Sequence, residues 1–214
     1  MSDLKLKVCG MKDVNNIRCL SQLPIDFIGF IFYKHSPRHV ETDDKEFVET
    51  VQTMPNSIKK VGVFVNEKPQ KILETGSRLS LNVIQLHGEE SPATCKLLKK
   101  EGFLVIKVIK IENNLPIELE AYENICDYLL FEAKGLMPGG NNKTFDWKIL
   151  EAFSFQAPVF ISGGISFSNF SEALKIPIDN LFALDINSAF EIYPGFKDVS
   201  KINKLLSKLK NVPA

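Results

Sequence analysis

Excess charge of either sign is missing from this chain: 26 Lys and Arg face 26 Asp and Glu, and the formal net charge is zero. Without a basic footprint there is little to hold a phosphate backbone or an anionic lipid surface, so neither nucleic acid nor membrane is an expected partner. Long apolar runs are missing as well. The most apolar one, Phe27 to Tyr33, is far short of the roughly 20 residues that span a bilayer. The first ten residues alternate Lys with aliphatics and lack the apolar stretch of an export signal. Cysteine is sparse. Cys9, Cys19, Cys95 and Cys126 form no CxxC pair and are too few to staple a chain of 214 residues, which is long enough to build its own core. A reduced, cytoplasmic protein is the expectation. His35, His39 and His87 have no metal-ligand spacing of the HExxH kind, so no metal is expected.

What the chain has instead is a recurrence of short β-branched and aromatic runs. They cover Leu4 to Val8, Phe27 to Phe32, Lys60 to Val65, Val83 to Leu86, Leu104 to Val108, Tyr128 to Phe131, Val159 to Ser162 and Leu181 to Leu184. Between them, apolar residues recur at helical spacing, as in Val14, Ile17 and Leu20 or Ile202, Leu205, Leu206 and Leu209. Asp13, Ser91-Pro92 and Ser168 stand where helix caps are expected, and Phe145-Asp146-Trp147 where a further helix begins. Helices alternating with near-continuous apolar strands imply a parallel sheet covered by helices. Eight such units without a linker or a shift in composition predict an α/β fold, one single-domain (β/α)8 TIM barrel over residues 1–214. In that architecture the chemistry sits at the C-terminal ends of the strands.

Period-two alternation sets Lys5, Lys7 and Cys9 on one face of the first strand, with Cys9 at the barrel mouth. Cys9 is either a small buried hydrophobe or, beside the ammonium of Lys7, a base or nucleophile whose pKa falls toward neutral. An ammonium inside a barrel needs an acid. Asp185 and Glu132 share the inward parity of Ala183 and Leu130 and either can supply it, as a plain interior ion-pair cluster or as part of a site.

The seventh strand ends in Ser162-Gly163-Gly164 and the eighth in Asp185-Ile186-Asn187-Ser188. Loops at these two places commonly bind phosphate through backbone amides, so a small phosphorylated ligand is the expected partner, a simple turn being the alternative for the glycines. Arg38, after Ser36-Pro37, suits a carboxylate if it is not merely a surface residue. His87 shares a strand face with Gln85 and is an acid, base or donor, or structural. The turn-rich segment Ala133 to Lys143 reads as a loop able to close over a ligand, or as a simple connector.

Taken in order, Lys7-Val-Cys9-Gly10-Met, Ser36-Pro-Arg38, Val61-Gly-Val-Phe-Val-Asn66, Gln85-Leu-His87-Gly88, Gly139-Gly140 ahead of Phe145-Asp-Trp147, Ser162-Gly-Gly164 and Pro194-Gly-Phe-Lys-Asp198 resemble the phosphoribosylanthranilate isomerases of tryptophan biosynthesis. The resemblance implies a cofactor-free Amadori rearrangement of N-(5-phosphoribosyl)anthranilate to 1-(2-carboxyphenylamino)-1-deoxyribulose 5-phosphate. By the family's pattern Cys9 is the general base and the carboxyl group ending the sixth strand is the general acid. Arg38 holds the anthranilate carboxylate. Gly163, Gly164, Asn187 and Ser188 carry the phosphate, and Asp185 and His87 line the sugar. The chain departs from the pattern at the acid, where Glu132 stands in place of Asp. The extra methylene shifts the carboxyl by roughly 1 Å, a displacement that can cost about 100-fold in rate. The alternative to an active isomerase is therefore a phosphosugar-binding barrel with impaired catalysis. A ribulose-phosphate epimerase would need paired His and Asp metal ligands that the sequence lacks. Monomer and homodimer fit the neutral composition equally.

Overall fold

Strands that are apolar on both faces can be buried only between a filled barrel interior and a layer of helices, and the chain folds that way. The computed structural model describes residues 4–112, 114–116, 119–133, 147–176, 178 and 180–210. In chain order these form β1 (Lys5–Cys9), α1 (Val14–Leu20), β2 (Phe27–Ile31), α2 (Lys45–Gln52), β3 (Lys59–Phe64), α3 (Pro69–Arg78), β4 (Val83–Leu86) and α4 (Pro92–Lys100). They continue with β5 (Leu104–Ile111), α5 (Leu119–Glu123), β6 (Tyr128–Ala133), a 3-10 helix (Trp147–Ala152), β7 (Val159–Ile161), α6 (Phe170–Ala173) and β8 (Leu181–Ile186). A second 3-10 helix (Ser188–Phe190), a hairpin of β9 (Glu191–Tyr193) and β10 (Phe196–Lys197), and α7 (Val199–Lys210) complete the chain. Strands β1 to β8 pair in sequence order, all parallel, and β8 closes on β1. All eight strands expected from the sequence are present. The segment 134–146, which holds most of the expected closing loop and the residues Phe145-Asp146, lies outside the described residues.

The barrel is filled from below by apolar side chains and lined with polar ones above. Phe27, Val61, Val83, Ile106, Val108, Leu130, Phe160 and Ala183 form a buried inner cluster, and the rings of Phe27 and Phe160 meet edge to face at 5.3 Å. Toward the C-terminal strand ends the same inward parity passes to Cys9, Gln85, Glu132 and Asp185. Leu6, Val8, Ile28, Phe64, Leu86, Leu129 and Leu184 point the other way and join the buried layer under the helices.

Helix caps follow the sequence except at one place. Asp13 accepts from the amide of Asn16 at 2.8 Å, and Ser91 caps α4 with Pro92 at its first position. Ser168 does not cap α6. The preceding position is Asn169, whose carboxamide accepts from the Ser166 amide at 2.7 Å and donates to the Gly164 carbonyl at 2.9 Å. A helix of four residues has too few turns to impose a cap, and Asn169 ties the Gly163-Gly164 turn instead. Trp147 opens a helix of the 3-10 kind. Among the described residues no helix is long and apolar enough to cross a membrane.

Candidate active site

The centre of the mouth is built by β1 and β8. Their register sets Lys7 opposite Asp185, and the Lys7 ammonium donates to Asp185 Oδ2 at 2.9 Å with both side chains shut away from water. Of the two acids open to Lys7, the fold selects Asp185. Burial works against the Lys7 charge, but Asp185 and Cys9 together hold its pKa above the ordinary value. Burial pushes the Asp185 carboxyl up, and Lys7 offsets part of that rise. Cys9 is buried one inward position above Lys7. Its thiol does not drop toward neutral pKa: burial raises it beyond what Lys7 and Lys197 can recover, and Asp185 adds to the rise. The site around the sulfur is tight. A Cβ at Gly29, which faces Cys9 in the β1–β2 register, would lie 2.9 Å from Sγ. The Gly29 carbonyl also receives the amides of Gly10 and Met11 at 2.9 and 3.0 Å.

On the opposite side, β4 and β6 bring His87 and Glu132 together. His87 Nε2 and Glu132 Oε2 are 2.6 Å apart, and both residues are buried. The Gln85 carboxamide lies 3.3 Å from the other ring nitrogen, so the imidazole is held from both ends. The loop after His87 is braced from outside the barrel. Lys107, on the outward parity of β5, donates to the Gly88 carbonyl at 2.6 Å and to Glu90 Oε2 at 2.9 Å. Glu90 in turn accepts from the amides of Gly88 and Asn66. Two buried acceptors on the inward parity, Asp185 Oδ1 and Gln85 Oε1, have no hydrogen-bond partner among the described residues.

The third group surrounds Arg38. The side chain is nearly buried, and Glu191 accepts from its Nε at 2.9 Å and from its Nη2 at 2.6 Å. Glu191 Oε1 also accepts from Lys197 Nζ at 2.6 Å and from the Gly195 amide at 3.0 Å. Lys197 Nζ reaches on to Asn187 Oδ1 at 2.6 Å. The end of β1 must be glycine for this to close: at Gly10 (φ +76) a Cβ would fall 2.6 Å from Arg38 Cδ and 2.9 Å from Asn187 Oδ1. Alongside, Gly163 and Gly164 both take positive φ, 83 and 68. Such a turn is open to glycine and presents amides to an anion. Among the described residues no group of three or more His, Cys, Asp or Glu could hold a metal ion.

A family model described as N-(5'-phosphoribosyl)anthranilate isomerase matches residues 6–208. The chain belongs to this isomerase family. A relative from Parabacteroides distasonis bearing that name is 40% identical over 208 residues, covering 95% of this chain and 92% of the relative. One from Phocaeicola vulgatus is 36% identical over 206 residues, covering 96% and 97%. Among solved structures, the phosphoribosylanthranilate isomerase of Thermotoga maritima superposes with a TM-score of 0.84 at 31% identity, over 98% of this chain and 100% of that one. Another family structure, 28% identical with a TM-score of 0.81 over 98% and 100% of the two chains, is a complex with reduced 1-(o-carboxyphenylamino)-1-deoxyribulose 5-phosphate.

Within the family's barrel, the residues singled out from sequence fall into two linked clusters and one turn. Lys7, Cys9 and Asp185 form the first cluster, and the His87–Glu132 pair lies close enough for both its members to act on the Asp185 carboxyl. Arg38 and Asn187 belong to the second, joined through Lys197. Gly163 and Gly164 form the turn, and Ser188 opens the 3-10 helix after β8. Sequence reading missed Glu191, Lys197, Lys107 and Glu90. Lys197 carried a signal as the lysine of Pro194-Gly-Phe-Lys-Asp198, and Lys107 as a charged residue near the end of the fifth apolar run.

Proposed function

We infer that the barrel isomerises N-(5'-phosphoribosyl)anthranilate to 1-(2-carboxyphenylamino)-1-deoxyribulose 5-phosphate, with Cys9 as general base and Glu132 as general acid. One observation carries the assignment of roles. Of the two inward carboxyl groups at the mouth among the described residues, Asp185 is committed to an ammonium, whereas Glu132 shares a short hydrogen bond with an imidazole that can pass a proton to it. Protonated Glu132 gives its proton to the ring oxygen of the ribose as the C1–O bond breaks, and the aniline nitrogen supplies the electron pair of the new C1=N bond. The Cys9 thiolate then takes the proton from C2. The C2–H pair becomes the C1=C2 bond of the enolamine, the C1=N π pair returns to nitrogen, and transfer of the C2 hydroxyl proton to C1 gives the ketone. Atoms and electrons balance without an external oxidant or reductant.

Around this centre, Asp185 Oδ1, buried and unpartnered, suits a sugar hydroxyl. The amides of Gly163, Gly164 and Ser188 suit the phosphate. Asn187 contributes through its backbone, since its side chain is committed to Lys197. Arg38 takes the anthranilate carboxylate. Replacing Arg38 by Lys removes the planar fork, and we expect the KM to rise about tenfold with a smaller change in kcat, read by the loss of substrate fluorescence; an unchanged KM would argue against the carboxylate role. In the same assay Glu132→Gln, which cannot donate an acidic proton, is expected to lower kcat about 100-fold. Glu132→Asp withdraws the carboxyl from His87 and should slow turnover by about tenfold. A faster Glu132→Asp enzyme would show instead that the longer side chain is a handicap.

A further inference from the structure

Arg38 presents a difficulty as a carboxylate receptor, because it already has a carboxylate. Glu191 occupies the Nε and Nη2 donors of the guanidinium with two close contacts, and a cation matched by one buried anion has little net charge with which to draw a second. The structure supplies the missing charge. Lys197 is completely buried and donates to the same Glu191 oxygen at 2.6 Å. Burial pulls its ammonium down to about 8, with Glu191 resisting the fall, so it remains charged at neutral pH. Arg38 and Lys197 together carry two positive charges against one on Glu191. An ammonium sunk this deep with only a half share of a carboxylate is costly for the empty protein, and one more anion would complete the set.

The geometry of the fork allows it. A guanidinium has five N–H donors. Glu191 takes the side-on pair, one from Nε and one from Nη2; among the described residues nothing takes the end-on pair of Nη1–H and the second Nη2–H, which can receive another planar carboxylate with two parallel bonds. We propose that Lys197 is a positioning and specificity-determining residue: by sharing Glu191 with Arg38 it leaves the cluster one positive charge in excess, and this excess binds the benzoate carboxylate of the substrate on the end-on edge of Arg38. The proposal rests on the assignment of Arg38 to that carboxylate. It extends the site to a residue on the β9–β10 hairpin that need not touch substrate. It also accounts for Gly10, whose missing side chain lets Arg38 and Asn187 close over the end of β1.

The test compares two ligands by fluorescence or calorimetric titration: the reduced product, and the same compound made from aniline, which lacks only the carboxylate. The readout is the ratio of their affinities, which a general loosening of the fold or of the phosphate end leaves unchanged. In Lys197→Met the cluster is neutral, and the preference for the carboxylated ligand is expected to fall about 10- to 30-fold, as for one unit charge removed at roughly 8 Å in an effective dielectric near 20. Lys197→Gln, which keeps a donor for Asn187, should behave likewise and serves if the methionine variant fails to fold. Adding Glu191→Gln to Lys197→Met restores one positive charge and should recover most of the preference. A preference that survives in both single variants, an equal loss for both ligands, or no recovery in the double variant would overturn the proposal. If Arg38→Ala leaves the preference intact, the carboxylate assignment itself fails, a separate result from failure of the Lys197 variants alone.

Discussion

Cys9→Ala is expected to lower kcat by about 10³- to 10⁴-fold while the protein melts at an unchanged temperature. The size follows from removing the proposed base, at the upper end of what a positioned base contributes. The stability is retained because the thiol is small and the ion pair of Lys7 with Asp185 remains in place. Cys9→Ser should be almost as slow. A hydroxyl is a far weaker acid than a thiol, and the two ammoniums that favour a thiolate here, Lys7 and Lys197, cannot make up the difference. Burial already holds the proton on Cys9 in the empty protein. In the proposed mechanism the reactive form, a thiolate facing a protonated carboxyl, has the same proton count as thiol facing carboxylate, so that internal redistribution reaches it without exchange with solvent. Full turnover by Cys9→Ala in the fluorescence assay would remove the thiol from the mechanism.

The second large effect concerns stability. Asp185→Leu strands the Lys7 ammonium in the barrel, and breaking one half of a buried pair costs about 3–5 kcal/mol. The folded variant escapes part of that cost by releasing a proton, either from Lys7 itself or from the neighbouring Cys9, whose thiolate would then face the ammonium. Both routes leave the folded state with one proton fewer than the unfolded state at neutral pH. The unfolded chain thus binds more protons, and stability must rise with pH, by about 1.4 kcal/mol per unit where the difference is one full proton. The wild-type pair runs the other way. Lys7 has a raised pKa, so its contribution is complete below the unfolded lysine value and is lost only as pH climbs through the folded one. Urea unfolding of both proteins from pH 7 to 9.5 checks the sign. The double variant Lys7→Met/Asp185→Leu, with no charge left to bury, should regain most of the loss and show no such slope. A single variant insensitive to pH would mean that water reaches Lys7.

The fold was legible because eight apolar runs announce eight strands and nothing else in the chain competes with them. Inward parity then found Lys7, Cys9, Glu132 and Asp185, since alternation on a strand is a two-way choice that neighbours such as Ala183 and Leu130 settle. The cap of four-residue α6 is not legible in the sequence because so short a helix shows little of the periodicity by which helices are recognised. The partners of Arg38 were beyond reach for a different reason. Glu191 lies 153 residues further along the chain on a short hairpin whose charged residues look like any solvated turn, and nothing in the pattern of β10 marks Lys197 as fully buried. Lys107 misleads in the same way. It stands near the end of the apolar run Leu104 to Val108, where chemistry is expected, yet β5 continues to Ile111 and the parity of Lys107 turns it outward to Glu90, to brace the loop behind His87.

Gly29 has no functional group, yet it faces the sulfur with no room for even a methyl. Every single-base change that alters a glycine codon's amino acid adds at least that methyl, so a mutational map scored on tryptophan-independent growth would show position 29 as intolerant as Cys9. The space for the sulfur depends on an atom that the neighbouring strand leaves out, and no inspection for acids, bases and nucleophiles would reveal it.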